Sequence, residues 1–239
     1  MSDRRAWKLN AAALGAAAVT GMAYAVRGRS SSLLGPSVYR GCRTRHSVAL
    51  TFDDGPSEST PALLDVLAEH QVRATFFQCG ANIRRLPAIA RAVRDAGHEI
   101  GNHSDTHPRF YFKSSAYILD EFARAQRAIG DVLELTPRVM RPPFGVRWFG
   151  FRAMQQDLGL LGVMWTFIGN DWDLPAAKVV VRVTNAVTNG AIICLHDGRE
   201  LRPDPDITNT IDAVRMLIPQ LASRGFTFET VSQLICPTT

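Results

Sequence analysis

From Ser47 onward the sequence alternates short apolar, β-branched runs with longer stretches whose apolar residues recur at helical spacing. That alternation restricts the chain to an α/β fold with mainly parallel strands, because each helical stretch is a crossover from one strand to the next. Strands are expected at 48–53, 74–79, 98–102, 139–141, 162–166, 191–196 and 227–230. Thr60 as cap and Pro61 in the first turn open a helix over 61–70, and Gly97 closes one over 87–96. A third runs over 116–133 with Ile118, Phe122, Ala125, Ile129 and Val132 on one face. Pro219 is expected to divide the last helical pattern into two short helices. Residues with reactive side chains gather where the strands end. Asp53 and Asp54 end the first strand, His103 and His107 follow the third, Arg141 ends the fourth, Asp171 follows the fifth and His196 ends the sixth. In parallel α/β folds that carboxyl edge is where active sites collect.

The 239 residues, 46% hydrophobic and 21% charged, exclude a disordered or fibrous chain and suit one domain with a leader. The net charge of +5 is unevenly placed. Residues 1–45 hold eight basic side chains against Asp3 alone, and the remainder holds 19 basic and 21 acidic ones. A phosphate-binding surface for nucleic acid has no support there. Arg4, Arg5 and Lys8 precede an uncharged run over 9–26 that ends in Ala23-Tyr24-Ala25, the three parts of an export signal. The same eighteen residues could reach across a membrane as an uncleaved anchor, and Arg4-Arg5 is similar to a twin-arginine signal. Residues 1–29 are therefore read as signal or anchor, 30–45 as a linker beginning at Ser30, and 46–239 as the folded domain of a cell-envelope protein. The four cysteines show no C-x-x-C spacing. Cys79 and Cys194 lie in apolar runs and read as buried thiols, whereas Cys42 and Cys236 bracket the domain and could pair after export.

Adjacent strand side chains point to opposite faces, so Asp53 and Asp54 need different partners. One can hold a divalent cation while the other stays ionised beside it as a base, although Asp pairs also cap loops. His103 and His107, four residues apart, can reach one cation from a single turn of chain, and with Asp54 they leave positions open for water. His196 follows a very apolar strand and can protonate a leaving group, with Asp171 to orient it. In Arg141-Pro142-Pro143-Phe144-Gly145 neither proline has an N–H, so Phe144 offers the first free amide after Arg141, fit for half of an oxyanion hole. Arg141, always charged, can partner Asp53.

Thr51-Phe52-Asp53-Asp54-Gly55-Pro56, His103-x-x-x-His107, Arg141-Pro142-Pro143-Phe144-Gly145, Asp171-Trp172 and Leu195-His196, in this order, resemble the polysaccharide deacetylases of the NodB-homology type, carbohydrate esterase family 4. Ala74-Thr75-Phe76-Phe77 and Gly101-Asn102-His103-Ser104 are similar too, and the likeness covers about residues 46–235. The resemblance implies a distorted (β/α) barrel with fewer than eight complete units. It implies zinc or another divalent transition metal on Asp54, His103 and His107, Asp53 as base positioned by Arg141, and His196 with Asp171 as acid. The N–H of Phe144 would share the charge of the tetrahedral intermediate. Two departures stand out: Ile168 where the family often has an acidic residue or Ser, and Cys194 where it has an acetyl-facing Leu. Trp148, Trp172 and Cys194 are expected at the substrate, with Phe110 and Tyr111 as further aromatic candidates. The implied reaction is removal of N-acetyl groups from N-acetylglucosamine residues of peptidoglycan or chitin-type oligomers. Alternatives are an O-deacetylase, a hydrolase of a small amide and a non-catalytic sugar-binding protein. Nothing in the sequence bears on oligomeric state.

Overall fold

A computed structural model describes the backbone of residues 2–235 and the side chains of residues 14–235. Among the described residues nine strands form, β1 (Ser37–Val38), β2 (Ser47–Asp53), β3 (Thr75–Gln78), β4 (Glu99–Asn102), β5 (Val139–Met140), β6 (Leu161–Val163), β7 (Phe167–Ile168), β8 (Ala191–His196) and β9 (Thr227–Phe228). The helices are α1 (Ser2–Arg27), α2 (Thr60–Glu69), α3 (Gly80–Arg85), α4 (Pro87–Asp95), α5 (Ser115–Leu133), α6 (Phe151–Leu158), α7 (Ala176–Ala186), α8 (Thr208–Ser223) and α9 (Val231–Ile235).

Every strand pair is parallel, in the order β1-β6-β5-β4-β3-β2-β8-β7, with β9 against the start of β2. β6 and β7 lie towards opposite ends of that order yet are joined by residues 164–166 alone. So short a connection spans at most roughly 14 Å, which forces the sheet to curl until its ends meet. The result is the distorted barrel that the family resemblance implies, short of eight full units.

The period of two along each strand sorts the side chains into two layers. Val48, Leu50 and Phe52 of β2, Phe76 of β3 and Ile193 and Leu195 of β8 face outward into the main core beneath α2, α4, α7 and α8. Ala49, Phe77, Val163 and Ile192 face inward, and Val231 and Leu234 of α9 close that interior at its amino-terminal end. The inward face of β2 therefore continues through Thr51 to Asp53, and that of β8 through Cys194 to His196. Thr51 and Asp53 are the register partners of Cys194 and His196.

Three expectations change. The strand over 162–166 is two short strands, because the chain leaves the β5–β6 side after Val163 and rejoins the sheet beside β8. Pro219 does not divide the last helix: Ala213, Val214, Leu217, Ile218 and Leu221 are buried as one stripe across it, and that packing outweighs one missing hydrogen bond. Within the stretch expected as a linker, Ser37–Val38 pair with β6 as an edge strand. The end of the leader is likewise built into the domain. Ala25 and Val26 are 7% and 3% exposed, and Val26 packs with Phe110, Phe122 and Phe151. Arg147 donates to the carbonyls of Gly28 and Ser31, and its backbone N–H to that of Val26. Among the described residues no helix is long and apolar enough to cross a membrane. Cys236, half of the expected disulfide, lies outside the described residues.

Candidate active site

At the carboxyl end of the barrel a cleft of about 900 Å³ is lined by Asp53, Asp54, His103, His107, Phe144, Trp172, Cys194 and His196 among others. Arg141 and Asp171 stand directly behind this lining, buried at 0% exposure. Trp148 is the expected substrate residue that the fold does not bring in. It packs against Tyr111 and Phe112 on the far side of α5's entry, and Phe110 is core.

Asp54, His103 and His107 converge from two loops. His107 Nε2 lies 3.0 Å and His103 Nε2 3.3 Å from Asp54 Oδ1, and one donor atom from each residue falls within 4.8 Å of the others. The Arg141 carbonyl is 2.7 Å from His103 Nδ1. A carbonyl only accepts, so Nδ1 carries a proton toward it and Nε2 is the nitrogen that faces Asp54. The other Asp54 oxygen accepts the backbone N–H of Glu200 at 2.9 Å. Two imidazoles and one carboxylate, buried and aimed at one point, fit a divalent transition metal and leave coordination positions open. Burial alone would raise the carboxyl of Asp54; His107 and His103 beside it overcome that and hold it well below its ordinary value.

The histidine turn is pinned from behind. Asp105, fully buried, pairs with Arg84 and Arg124 at 2.8 Å each, and Glu121 of α5 accepts both the N–H and the hydroxyl of Thr106 at 2.9 Å. Asp54, His107, Phe144, Glu200 and Asp204, all on the cleft wall, have positive φ between 45° and 75°. Each such backbone costs on the order of 1–3 kcal/mol, and it persists because the surrounding bonds hold it.

On one flank, Arg141 Nη1 donates to Asp53 Oδ1 at 2.6 Å and to Thr51 Oγ1 at 2.8 Å, while Nε and Nη2 donate to the carbonyls of Val163 and Met164. The guanidinium also lies 4.2 Å from the centre of the Phe77 ring. Asp53 Oδ2 accepts the Cys194 thiol, a weak donor at 3.4 Å. Burial, with Asp53 beside it, pushes that thiol well above its ordinary range.

On the other flank, Asp171 Oδ1 is 3.0 Å from His196 Nδ1, and its Oδ2 accepts the His196 N–H at 2.9 Å and the Thr210 hydroxyl at 2.6 Å. Burial lowers the affinity of His196 for its proton, but Asp171 more than offsets it, and the imidazole is pushed up to about 9. Asp171 itself moves the other way: burial opposes, and His196 and Thr210 hold it below its usual value. Trp172, 48% exposed, meets the His196 ring edge-on at 4.9 Å. The Phe144 ring meets His107 edge-on at 4.6 Å, with the Arg109 guanidinium 4.1 Å from its centre.

Some cleft residues carry no motif. Arg27 reaches the lining from the end of α1, and Arg109, Arg199 and Glu200 join from loops. Asp197 lies behind Asp54, bonded by Thr60 Oγ1 at 2.8 Å; burial pushes its carboxyl up to about 7 against the pull of that hydroxyl, with Asp54 and Asp53 adding to the rise. Gly55 is required beside it, because a Cβ there would lie 2.1 Å from Asp197 Oδ2. Its place after His196 in the sequence is the one signal that could have pointed to it.

Comparison with known proteins agrees with this geometry. The family model for polysaccharide deacetylase matches residues 40–163, which takes in Asp53 through Phe144 and ends before Asp171 and His196. A chitooligosaccharide deacetylase of Bradyrhizobium sp. (strain ANU 289) is 40% identical over 197 residues, 79% of this chain and 90% of that protein. The peptidoglycan-N-acetylglucosamine deacetylase PgdA of Listeria monocytogenes serotype 1/2a (strain 10403S) is 32% identical over 206 residues, 85% of this chain but 42% of the Listeria protein. The crystal structure of the Bc1960 peptidoglycan N-acetylglucosamine deacetylase superposes with a TM-score of 0.78 at 29% identity, covering 82% of this chain and 91% of that one. Fold, relatives and the convergent Asp–His–His set lead to one assignment: the chain is a hydrolase of the polysaccharide deacetylase family.

Proposed function

We propose that the protein removes N-acetyl groups from N-acetylglucosamine residues, in peptidoglycan first and chitin-type oligomers next, with Asp54, His103 and His107 holding zinc or another divalent transition metal. The observation that carries this reading is the pair of buried dyads, Asp53–Arg141 and Asp171–His196, on either side of one cation-ready set. A cation bound there would supply Lewis acidity at the acetyl carbonyl and a more acidic water. Asp53, with Oδ1 tied to Arg141, takes the proton of the attacking water on Oδ2. Phe144 N–H faces the oxygen on which charge develops. His196, carrying its proton at neutral pH, delivers it from Nε2 to the departing amine while Asp171 holds Nδ1. Trp172 offers a stacking face to a sugar ring, and Cys194 walls the end that receives the acyl methyl.

The test is acetate release by the full chain from peptidoglycan and from N-acetylglucosamine oligomers, after chelation and after zinc is restored. Zinc-restored release that Asp53→Asn lacks supports the reading. A metal-loaded protein that releases nothing from these polymers but cleaves O-acetyl esters or a small amide overturns it.

The enzyme works outside the cytoplasm on this reading, and we infer that its N-terminal helix is retained rather than cleaved after Ala25. Cleavage there would leave a new ammonium group on Val26, 3% exposed in an apolar cluster. The mass of the mature protein recovered from the cell envelope decides this. A chain beginning at Val26 would refute retention.

A further inference from the structure

Beside the Asp54–His103–His107 set lies a second group of donors. Asp53, Cys194 and His196 each present one atom, a carboxylate oxygen, a sulfur and an imidazole nitrogen, and all three fall within 4.8 Å of one another. Their convergence follows from the strand pairing. Asp53 of β2 is the register partner of His196 of β8, and Cys194 precedes His196 by one pleat on the same inward face. Asp171 is bonded to His196 Nδ1 and Arg141 to Asp53 Oδ1, so His196 Nε2 and Asp53 Oδ2, the latter accepting the Cys194 thiol at 3.4 Å, are the atoms left to a cation. All three residues line the cleft.

We propose that Asp53, Cys194 and His196 form a second cation position, selective for thiophilic divalent cations, whose filling stops the enzyme. One sulfur, one nitrogen and one oxygen donor suit zinc, cadmium or cobalt(II) rather than magnesium or calcium. On binding, the Sγ–H bond of Cys194 and the Nε2–H bond of the His196 imidazolium both break, and the two protons leave to solvent as the sulfur–metal and nitrogen–metal bonds form; no group is oxidised or reduced. The two side chains assigned to proton transfer, Asp53 and His196, are then both engaged. The Arg141 guanidinium and a cation at the first position both repel a second one, so this position fills only after the first. Zinc is therefore expected to activate up to one equivalent and to inhibit beyond it. The inference rests on the assignment of Asp54, His103 and His107 to the first cation, and it is independent of which polymer is cleaved.

The full chain, stripped by a chelator, is titrated with cobalt(II), and bound cobalt per chain is measured together with thiolate-to-cobalt charge-transfer absorption. Two cobalt ions per chain are expected, the thiolate band rising with the second. Cys194→Ala and Cys194→Ser, each checked for folding by near-ultraviolet circular dichroism, should bind one ion and show no band. In acetate release, excess zinc should lower the wild-type rate tenfold or more from its maximum, and the Cys194 variants should hold their own maximum. A single cobalt in the wild-type chain, or a second one that survives loss of the Cys194 thiol, overturns the proposal. A second ion that leaves the wild-type rate unchanged overturns its inhibitory part. Because cobalt is counted without substrate, an error in the assigned polymer would leave these counts untouched.

Discussion

The two flanks of the cleft each carry a buried carboxylate, and they differ in the partner each is given. Asp53 faces Arg141, a permanent cation that is itself completely buried and donates to four protein oxygens. Asp171 faces His196, a cation that can lose its proton, on a flank where Trp172 stands half in solvent. A carboxylate beside a fixed charge can take up a proton and return it without its partner changing. One beside an imidazole instead tunes a proton that the imidazole gives away. The division into base and acid follows from the partner, not from the kind of acid.

The sharpest way to break this comparison is to change each side of the first flank separately. Asp53→Asn removes the base, so kcat for acetate release should fall by about 10²–10⁴, and because Arg141 is then buried without its carboxylate the melting temperature should fall as well. Arg141→Ala should act on stability as well. It strands a buried carboxylate and the carbonyls of Val163 and Met164, a loss of about 3–5 kcal/mol, or about 10 °C or more in a thermal melt. Arg141→Lys should recover little of this, because one ammonium cannot replace a fork that reaches four acceptors. Melting curves of both variants that match the unsubstituted protein would show that the first flank is not held by charge pairing.

How far this arrangement was legible beforehand depends on which residues carried it. β2 and β8 are mainly apolar runs that end in Asp53 and His196, so the chemistry was marked by an abrupt change of polarity at a strand end. Trp148 carried no such mark. Four residues separate it from the Pro142-Pro143 step, but nothing in an aromatic side chain tells which side of the following turn it will face, and it packs on Tyr111 and Phe112. Asp197 and Arg27 act through burial and long-range approach, which no spacing encodes. Ser37–Val38 are too short for a period to register, and their pairing with β6 depends on the sheet having already curled. Pro219 was misleading because helix propensity is local while the stripe that holds α8 together is tertiary.

The second flank predicts a pH dependence with a definite sign. The imidazolium of His196 is stabilised in the fold, to about 9, so its contribution to stability is complete below about 6.5 and is lost as pH rises through about 9. That amounts to about 2–3 kcal/mol for this largely buried side chain. Asp171→Asn removes the partner that offsets burial, so the alkaline limb of kcat/KM should move down from about 9 by two units or more. The same variant should flatten the loss of stability between pH 7 and 10 measured by urea unfolding. An alkaline limb that stays in place would mean that His196 is not the group that gives the proton.

The smallest expected effect separates the solvent edge of the second flank from an aromatic cluster of similar composition elsewhere. Trp172 stands 48% exposed beside His196 on the cleft wall, whereas Trp148 packs among Tyr111, Phe112 and Phe149 away from it. Stacking of a sugar on Trp172 is worth on the order of 1 kcal/mol, so Trp172→Ala should raise KM for an N-acetylglucosamine oligomer by roughly 2–10-fold, with a lesser effect on kcat. Trp148→Ala should leave KM unchanged and lower the melting temperature by a few degrees, since the ring is lost from packing alone. An equal rise of KM in both variants would place substrate across α5's entry as well, and the exposed ring of Phe112 would then be the next residue to remove.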